Sequence, residues 1–391
     1  MNIHTKAVHA GDRKKLPDAI PSTTPIYTAS SFSYAEMADL DKVFGEEMDG
    51  YCYSRYDTPT ARALEEQLTA LEEGAGALVT SSGMAALQVA LQAALTDRRR
   101  SVVAASAIYG ATTNMLTKML EPMGVDITFV DICDEAAVAK AIEQAKPGCV
   151  LMESISNPLL RVGPMDRIAT MAKAVGAALI VDSTFATPLL LQPLQLGAHL
   201  VVHSLTKYLA GHGDVLGGVV ISDEAHLPII RSIGKISGPV LGPFECYLTM
   251  RGVKTFPLRM ERQCENACKV AQWLASHAGV ERVYYPGNPR HADAATIGRL
   301  LAGKAHGAMV SFDLKEATQE NVFRFMDRLK LIVRATTLGD VHTLALYPAM
   351  SSHRDLAPKQ RQRQGIGDGL IRLSVGIEAP EDIIADLEQA F

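Results

Sequence analysis

Apolar and polar positions along this chain alternate between two periods. From Ala61, ARALEEQLTALEE is amphipathic at helical spacing, ALVT is an apolar run of strand length, and MAALQVALQAAL is apolar at helical period. The same alternation then repeats. SVVAAS, DITFVDI, CVLMES, AALIVDS, HLVVHS and LGGVVIS predict strands, separated by helical stretches such as TTNMLTKML, EAAVAKAIEQA and MDRIATMAKAVG. Short β-rich runs alternating with helices require right-handed crossovers, so they predict a mostly parallel sheet covered on both faces.

This pattern places a large domain at residues 61–245. Before it, residues 1–60 are rich in Pro, Ser, Thr and Tyr with weak periodicity, which predicts an extended arm with few regular elements, of a kind that packs on a neighbour. After it, a long helical region from about Pro243 to His277 leads into a smaller α/β domain, the two together occupying 246–391. In that last part GAMVSFDL and LIRLSVGI read as strands, and QENVFRFMDRLK and PEDIIADLEQAF as helices. The basic stretch KQRQRQ at 359–364 reads as a solvated loop.

With 391 residues, 48% of them hydrophobic, the chain can bury a large core in more than one domain. A net charge of -5 offers no basic excess for nucleic acid or an anionic membrane surface, which leaves a small molecule as the expected partner. The six cysteines are scattered, the N-terminal MNIHTKAVHAGDRKKLPDAI has no apolar core segment, and no run approaches the roughly 18 apolar residues of a membrane span. These features predict a cytoplasmic protein.

The candidate chemistry gathers at predicted strand ends, where open α/β sheets bind their ligands. Lys207 follows HLVVHS; alone it reads either as a surface lysine or as a nucleophile whose ammonium is deprotonated by burial or a neighbouring cation. Ser204 and Thr206 flank it at alternating positions and present hydroxyls to one side, for an anion or as ordinary strand-end groups. In TSSGMAAL, the turn Ser81-Ser82-Gly83 precedes an apolar helix, so the N–H groups of Gly83 and Met84 suit a phosphate, or Ser82 simply caps the helix. Asp182 ends AALIVDS and could pair with a pyridine nitrogen or cap a helix. Tyr109, after SVVAASA, could stack on a flat heterocycle or merely pack. His212 and Asp214 in GHGD lack the further ligands a metal needs, and Cys264 and Cys268, four apart on a helix, lack partner ligands too; no metal is expected. Nucleophile, ring partner, phosphate cradle and stacking face on one inferred sheet edge together point to pyridoxal 5'-phosphate.

At this point the chain resembles the cysteine and methionine metabolism (trans-sulfuration) family of pyridoxal-phosphate enzymes. The matching segments run nearly its full length: TKAVHAG, PSTTPIYTASSF, YSRYDTPT, SSGMAAL, IYGAT, ESISNP, VDSTFATP, VVHSLTKYLAGHGD, RGVKTFPLRM, VYYPG and IRLSVGIE. The resemblance implies an aspartate-aminotransferase-like fold (PLP fold type I), with a mostly parallel seven-stranded sheet and a smaller C-terminal α/β domain. It implies that Lys207 carries the cofactor as a Schiff base and moves protons, that Asp182 pairs with the pyridinium nitrogen, and that Tyr109 stacks on the ring. Gly83, Met84, Ser204 and Thr206 would meet the phosphate, joined by Tyr53 and Arg55 from a neighbouring subunit, which implies a dimer at least and usually a homotetramer. Asn157 would lie near the phenolic oxygen, and Arg372, with Thr337, Tyr53 and Asn157 in support, would bind the substrate, its guanidinium gripping the α-carboxylate.

The implied activity is a carbon–sulfur lyase reaction on sulfur amino acids, of the cystathionine or methionine γ-lyase type, giving 2-oxobutanoate and ammonia. The alternative is γ-replacement on an O-acylhomoserine. Three positions depart from the family's usual pattern: Thr58 stands where an Asn is common, Thr336-Thr337-Leu338-Gly339 lacks the Glu that often precedes Ser-Leu-Gly, and Ala111 replaces a Cys common in methionine γ-lyases.

Overall fold

Seven apolar runs too short for helices do form one sheet. The computed structural model describes residues 1–12, 20–96, 99–351, 354, 361 and 365–391. The strands are β1 Gly76–Thr80, β2 Ser101–Ala105, β3 Asp126–Val130, β4 Cys149–Glu153, β5 Ala178–Asp182, β6 Leu200–Ser204 and β7 Gly218–Ser222. They lie in the order β1-β7-β6-β5-β4-β2-β3. β7 is antiparallel to both its neighbours, and every other pairing is parallel. Helices cover both faces, which is why β2, β4 and β7 are buried at every residue and read as continuous apolar runs rather than alternating ones. β5 and β6 are buried except at their last residues, Asp182 and Ser204, and that break in the pattern marks the carboxyl edge of the sheet.

A second sheet, β8 Val280–Tyr284, β9 Met309–Leu314, β10 Val333–Arg334, β11 Leu344–Leu346 and β12 Leu370–Ser374, runs in the order β10-β11-β12-β9-β8. It has its own core, built from Val310, Phe312, Phe325, Leu373, Ile383 and Leu387. The helix Pro243–Ser276 joins the two. Its first part gives Cys246, Val253, Phe256 and Met260 to the core of the first sheet, and its last part gives Val270 and Leu274 to the core of the second. At 34 residues it is about 50 Å long, enough to serve both cores without a break.

Some elements differ from those the periodicity predicts. The N-terminal arm carries two short helices, Ile3–His9 and Met37–Phe44. The first is capped by the Asn2 side chain and tied down by Gln67, whose amide donates to the Ala7 carbonyl at 2.6 Å. The amphipathic helix predicted from Ala61 begins at Pro59, because Thr58 Oγ1 accepts from Ala61 N and proline suits the first turn. TTNMLTKML is not one α-helix: it passes from Gly110–Met115 into a π-helical turn at Leu116–Leu120 and a 3-10 turn at Glu121–Met123. The predicted loop at 359–364 lies outside the described residues except for Arg361, which donates to Asp368 at 3.2 Å.

The long helix also fixes the turn that follows β6. Arg259, buried on that helix, donates to the carbonyls of Tyr208 (2.9 Å), Leu209 (3.2 Å) and Gly252 (2.8 Å). Gly252 permits this close docking, because a Cβ there would stand 2.2 Å from the Ala210 carbonyl oxygen. Replacing Gly252 by Ala is therefore expected to lower stability by about 1–3 kcal/mol through overpacking against backbone. Chemical denaturation of the two proteins side by side measures the difference, and an unchanged midpoint would refute the account of this contact.

Candidate active site

A cavity of about 470 Å³ opens at the carboxyl ends of β4, β5 and β6, and its wall includes Ser82, Gly83, Met84, Tyr109, Glu153, Asn157, Asp182, Ser204, Thr206, Lys207 and Arg372. The parallel pairing brings two of these side by side. Glu153 and Asp182 are register partners on β4 and β5, and Asp182 is in turn opposite Val202 on β6. The chain then leaves β6 in a tight turn that Arg259 holds, and Lys207 stands in that turn.

On one side the cavity meets the helix Gly83–Leu95. Ser82 caps it, accepting from Ala85 N at 3.1 Å, while the N–H groups of Gly83 and Met84 belong to the first turn, where no intrahelical acceptor exists. Gly83 lies close against β6: a Cβ there would be 3.0 Å from Ser204 Cβ. Ser204 N donates to Thr184 Oγ1 at 3.0 Å, and Thr206 Oγ1 accepts from Gly217 N at 3.1 Å.

Asp182 is held by Thr184, whose N–H and hydroxyl both donate to Oδ1, at 3.0 and 2.6 Å. Burial raises its pKa, and the two Thr184 hydrogen bonds oppose the rise. Glu153 accepts from Tyr109 N on Oε1 (2.7 Å) and from Asn157 N on Oε2 (3.1 Å). Burial and then the Asp182 charge push this carboxyl up to about 8.

Across the cavity the second sheet supplies a cation. Arg372, in the middle of β12, is buried and donates to Asn157 Oδ1 (2.9 Å) and the Thr337 carbonyl (3.4 Å). Its Nε is buried with no hydrogen-bond partner among the described residues. Lys207 Nζ donates to Thr337 Oγ1 at 2.7 Å, so one threonine meets both cations. Burial, then the Arg372 charge, lowers the lysine to about 8; burial alone lowers Arg372 to about 10. Tyr109, 41% exposed, also lines the cavity.

Ten of the predicted site residues thus converge: Lys207, Asp182, Tyr109, Gly83, Met84, Ser204, Thr206, Asn157 and Arg372 line the cavity, and Thr337 bonds to Lys207. Tyr53 and Arg55 do not line it. Tyr53 is exposed, and the Arg55 guanidinium stacks on Tyr56 at 4.9 Å and donates to the Lys235 carbonyl. The GHGD loop turns inward on itself, with His212 Nδ1 2.7 Å from the Ala210 carbonyl. The residue to which sequence reasoning gave no role is Glu153. Its signal was there: like Asp182 it is an acid closing an apolar strand run.

The family model described as "Cys/Met metabolism PLP-dependent enzyme" matches residues 4–391. An L-methionine gamma-lyase of Fusobacterium nucleatum subsp. polymorphum is 41% identical over 390 residues, which are 99% of this chain and 97% of that protein. A cystathionine gamma-lyase of Bacillus subtilis (strain 168) is 40% identical, over 94% of this chain and 93% of that one. Among solved structures, cystathionine gamma synthase from Xanthomonas oryzae pv. oryzae in complex with aminoacrylate and cysteine superposes with a TM-score of 0.92 at 34% identity, covering 100% of this chain and 97% of the other.

The low basicity of Lys207 has a direct consequence in the cofactor-free protein. Below about 8 its Nζ is protonated and inert, and above it the amine is free, whereas ordinary lysines need a pH near 10.4. Labelling with a limiting amine-reactive acylating reagent, read by mass spectrometry of the Lys207 peptide, is expected to rise through a midpoint near pH 8. A midpoint within half a unit of the other lysines would contradict this.

Proposed function

The chain belongs to the Cys/Met metabolism PLP-dependent enzymes, and we propose that within that family it is a carbon–sulfur lyase acting at Cγ of sulfur amino acids, with a preference for an uncharged thioether side chain. The observation that carries the preference is the cavity wall. Beyond the groups clustered around Lys207 it is mostly apolar, with Ile155, Phe185, Leu216, Leu338 and Leu346 beside the neutral hydroxyls of Thr336 and Ser351, and its cations among the described residues are Lys207 and Arg372. One is needed for the cofactor and the other for the α-carboxylate. A second carboxylate on the substrate tail would be desolvated against leucines without a counter-charge, which is costly.

The cavity fits pyridoxal 5'-phosphate. The first-turn N–H groups of Gly83 and Met84, with the Ser204 and Thr206 hydroxyls, form a phosphate cradle whose close approach depends on Gly83 lacking a Cβ. Asp182 would face the pyridinium nitrogen, Tyr109 would lie on the ring, and Lys207 would hold the aldehyde carbon. When bound, the cofactor supplies an electron sink conjugated to the substrate Cα.

The protein's own groups do the rest. Arg372 grips the α-carboxylate, which gives its orphaned Nε–H an acceptor in the same bidentate geometry. That grip fixes the amino acid with one face of Cα toward Lys207. Lowered to about 8, Lys207 keeps at neutral pH a small fraction of free amine that an ordinary lysine lacks, and that amine takes the Cα proton on Nζ. Thr337 Oγ1 accepts from Nζ and limits where the ammonium can swing. Loss of the Cα and Cβ protons and rupture of the Cγ–S bond release a thiol, and water completes the conversion to 2-oxobutanoate and ammonia.

The same wall admits an uncharged acyl tail, so γ-replacement on an O-acylhomoserine is the second reading, supported by the likeness to the synthase structure. The assay that decides supplies L-methionine, L-cystathionine, O-acetyl- and O-succinyl-L-homoserine to the cofactor-loaded protein, with and without added thiol. Rapid 2-oxobutanoate from L-methionine without thiol is the expected result, and Lys207→Ala should reduce it by about 10²–10⁴-fold. Thiol-dependent thioether formation from the acylhomoserines, with little keto acid, would overturn the lyase reading.

The finer organisation follows the same reading. Residues 1–60 form an arm to the neighbouring subunit, 61–245 the cofactor domain, and 246–391 the connecting helix and small domain of a cytoplasmic homotetramer built from dimers. Its support is that Tyr53 and Arg55 are exposed and lie outside the cavity of their own chain. Among the described residues no helix is long and apolar enough to cross a membrane. If Arg55 serves the neighbour's site, mixing inactive Lys207→Ala and Arg55→Ala subunits should restore activity, since each hybrid pair keeps one intact site. Titration of one variant with the other tests this, and activity that never exceeds the sum of the two would refute it.

A further inference from the structure

Glu153 has an unusual position for a group with no assigned part in the chemistry. It is 8% exposed, it lines the cavity, and its register partner on β5 is another acid, Asp182. Burying a second carboxyl beside the first is costly, so simple packing is a poor reason for it. The two acceptors it offers are used separately: Oε1 takes the N–H of Tyr109 at 2.7 Å, and Oε2 takes the N–H of Asn157 at 3.1 Å.

Those donors belong to different loops. Tyr109 stands at the start of the helix Gly110–Met115, after β2, and Asn157 stands in the segment after β4. Each leads to a separate part of the site. Tyr109 lines the cavity, and Asn157 Oδ1 accepts from Arg372 NH1 at 2.9 Å. We propose that Glu153 is a positioning residue for the reaction, which bridges the Tyr109 and Asn157 loops so that the stacking ring and the carboxylate-gripping Arg372 keep a fixed relation to each other. This rests on the roles given to Tyr109 and Arg372 above.

The chemistry of the bridge selects the residue type. Two N–H donors need two acceptors, which a carboxyl group provides and an amide does not, because the amide nitrogen would face one N–H with another. Aspartate keeps both acceptors but is one methylene short of reaching both loops.

The test uses the cofactor-loaded protein with Glu153→Gln and Glu153→Asp. Borohydride reduction and identification of the modified Lys207 peptide in the parent protein tests the underlying site reading separately. With the cofactor on Lys207, Glu153→Gln is expected to raise KM for the amino-acid substrate by about tenfold or more, the size of one lost hydrogen bond in a charged network. The visible circular dichroism of the bound cofactor should fall as the Tyr109 ring loses its fixed pose. Glu153→Asp should move both readouts in the same direction by less, and it keeps the question open to measurement if the glutamine variant does not fold. KM and dichroism within twofold of the parent in either folded variant, even with a lowered melting temperature, would reduce Glu153 to a structural role and overturn the proposal.

Discussion

Two cations and two acids share one cavity, Arg372 and Glu153 buried and Lys207 and Asp182 half-buried, and the structure around them is arranged to make that tolerable. Lys207 and Arg372 would repel each other, as would Asp182 and Glu153, and burial raises the cost of each charge. The site meets this with neutral donors and acceptors: Thr184 on Asp182, backbone N–H groups on Glu153, Thr337 on both cations, Asn157 on Arg372. The strain that remains is useful. An amine that loses its proton near pH 8 and an arginine with a buried N–H unpartnered among the described residues leave the cavity with a nucleophile and an anion-binding donor, as the proposed roles require.

This arrangement can exist only if two separately packed sheets are held in register, because Lys207 comes from the first and Arg372 from the second. The helix Pro243–Ser276 does that by contributing to both cores. It also carries Arg259, another buried guanidinium, which spends its donors on the carbonyls directly after Lys207. A cation that binds carbonyls is thus used to shape the lysine turn, while Arg372 keeps a buried Nε–H with no acceptor among the described residues. The difference between the two arginines lies in their acceptors, not in their burial.

How much of this was legible in the sequence follows from the range of each interaction. Asp182 and Lys207 could be found from local pattern, since each ends or follows an apolar strand run and parallel topology gathers such ends at one edge. Seven strands were legible for the same reason. Arg372 was not legible locally: in β12 it is one arginine in an apolar strand, and its meaning depends on Asn157, 215 residues away. Only the resemblance supplied it. β10 and β11, two and three residues long, are too short to carry a period, and the π-helical turn at Leu116–Leu120 keeps a helical spacing of apolar residues while changing the hydrogen bonds. Glu153 sat within a motif that was read, but a strand-end acid has no visible function until the two loops it joins are folded against it.

Catalytic equipment and specificity separate cleanly in this site. The polar groups lie at the sheet edge or on β12 and are fixed by hydrogen bonds from several elements, and in the proposed roles they would serve elimination and replacement equally. The rest of the cavity wall is largely apolar, with Ile155, Phe185, Leu216, Leu338 and Leu346 beside the hydroxyls of Thr336 and Ser351. Such a wall discriminates weakly by size, since one methylene is worth only about 1–3 kcal/mol, but it rejects a charged tail strongly, because the charge would be buried without a partner. In the proposed reading the cavity would sort substrates mainly by the charge of the tail, and after the Cγ bond breaks the outcome would turn on whether water reacts at Cα, for elimination, or a thiol adds at Cγ, for replacement.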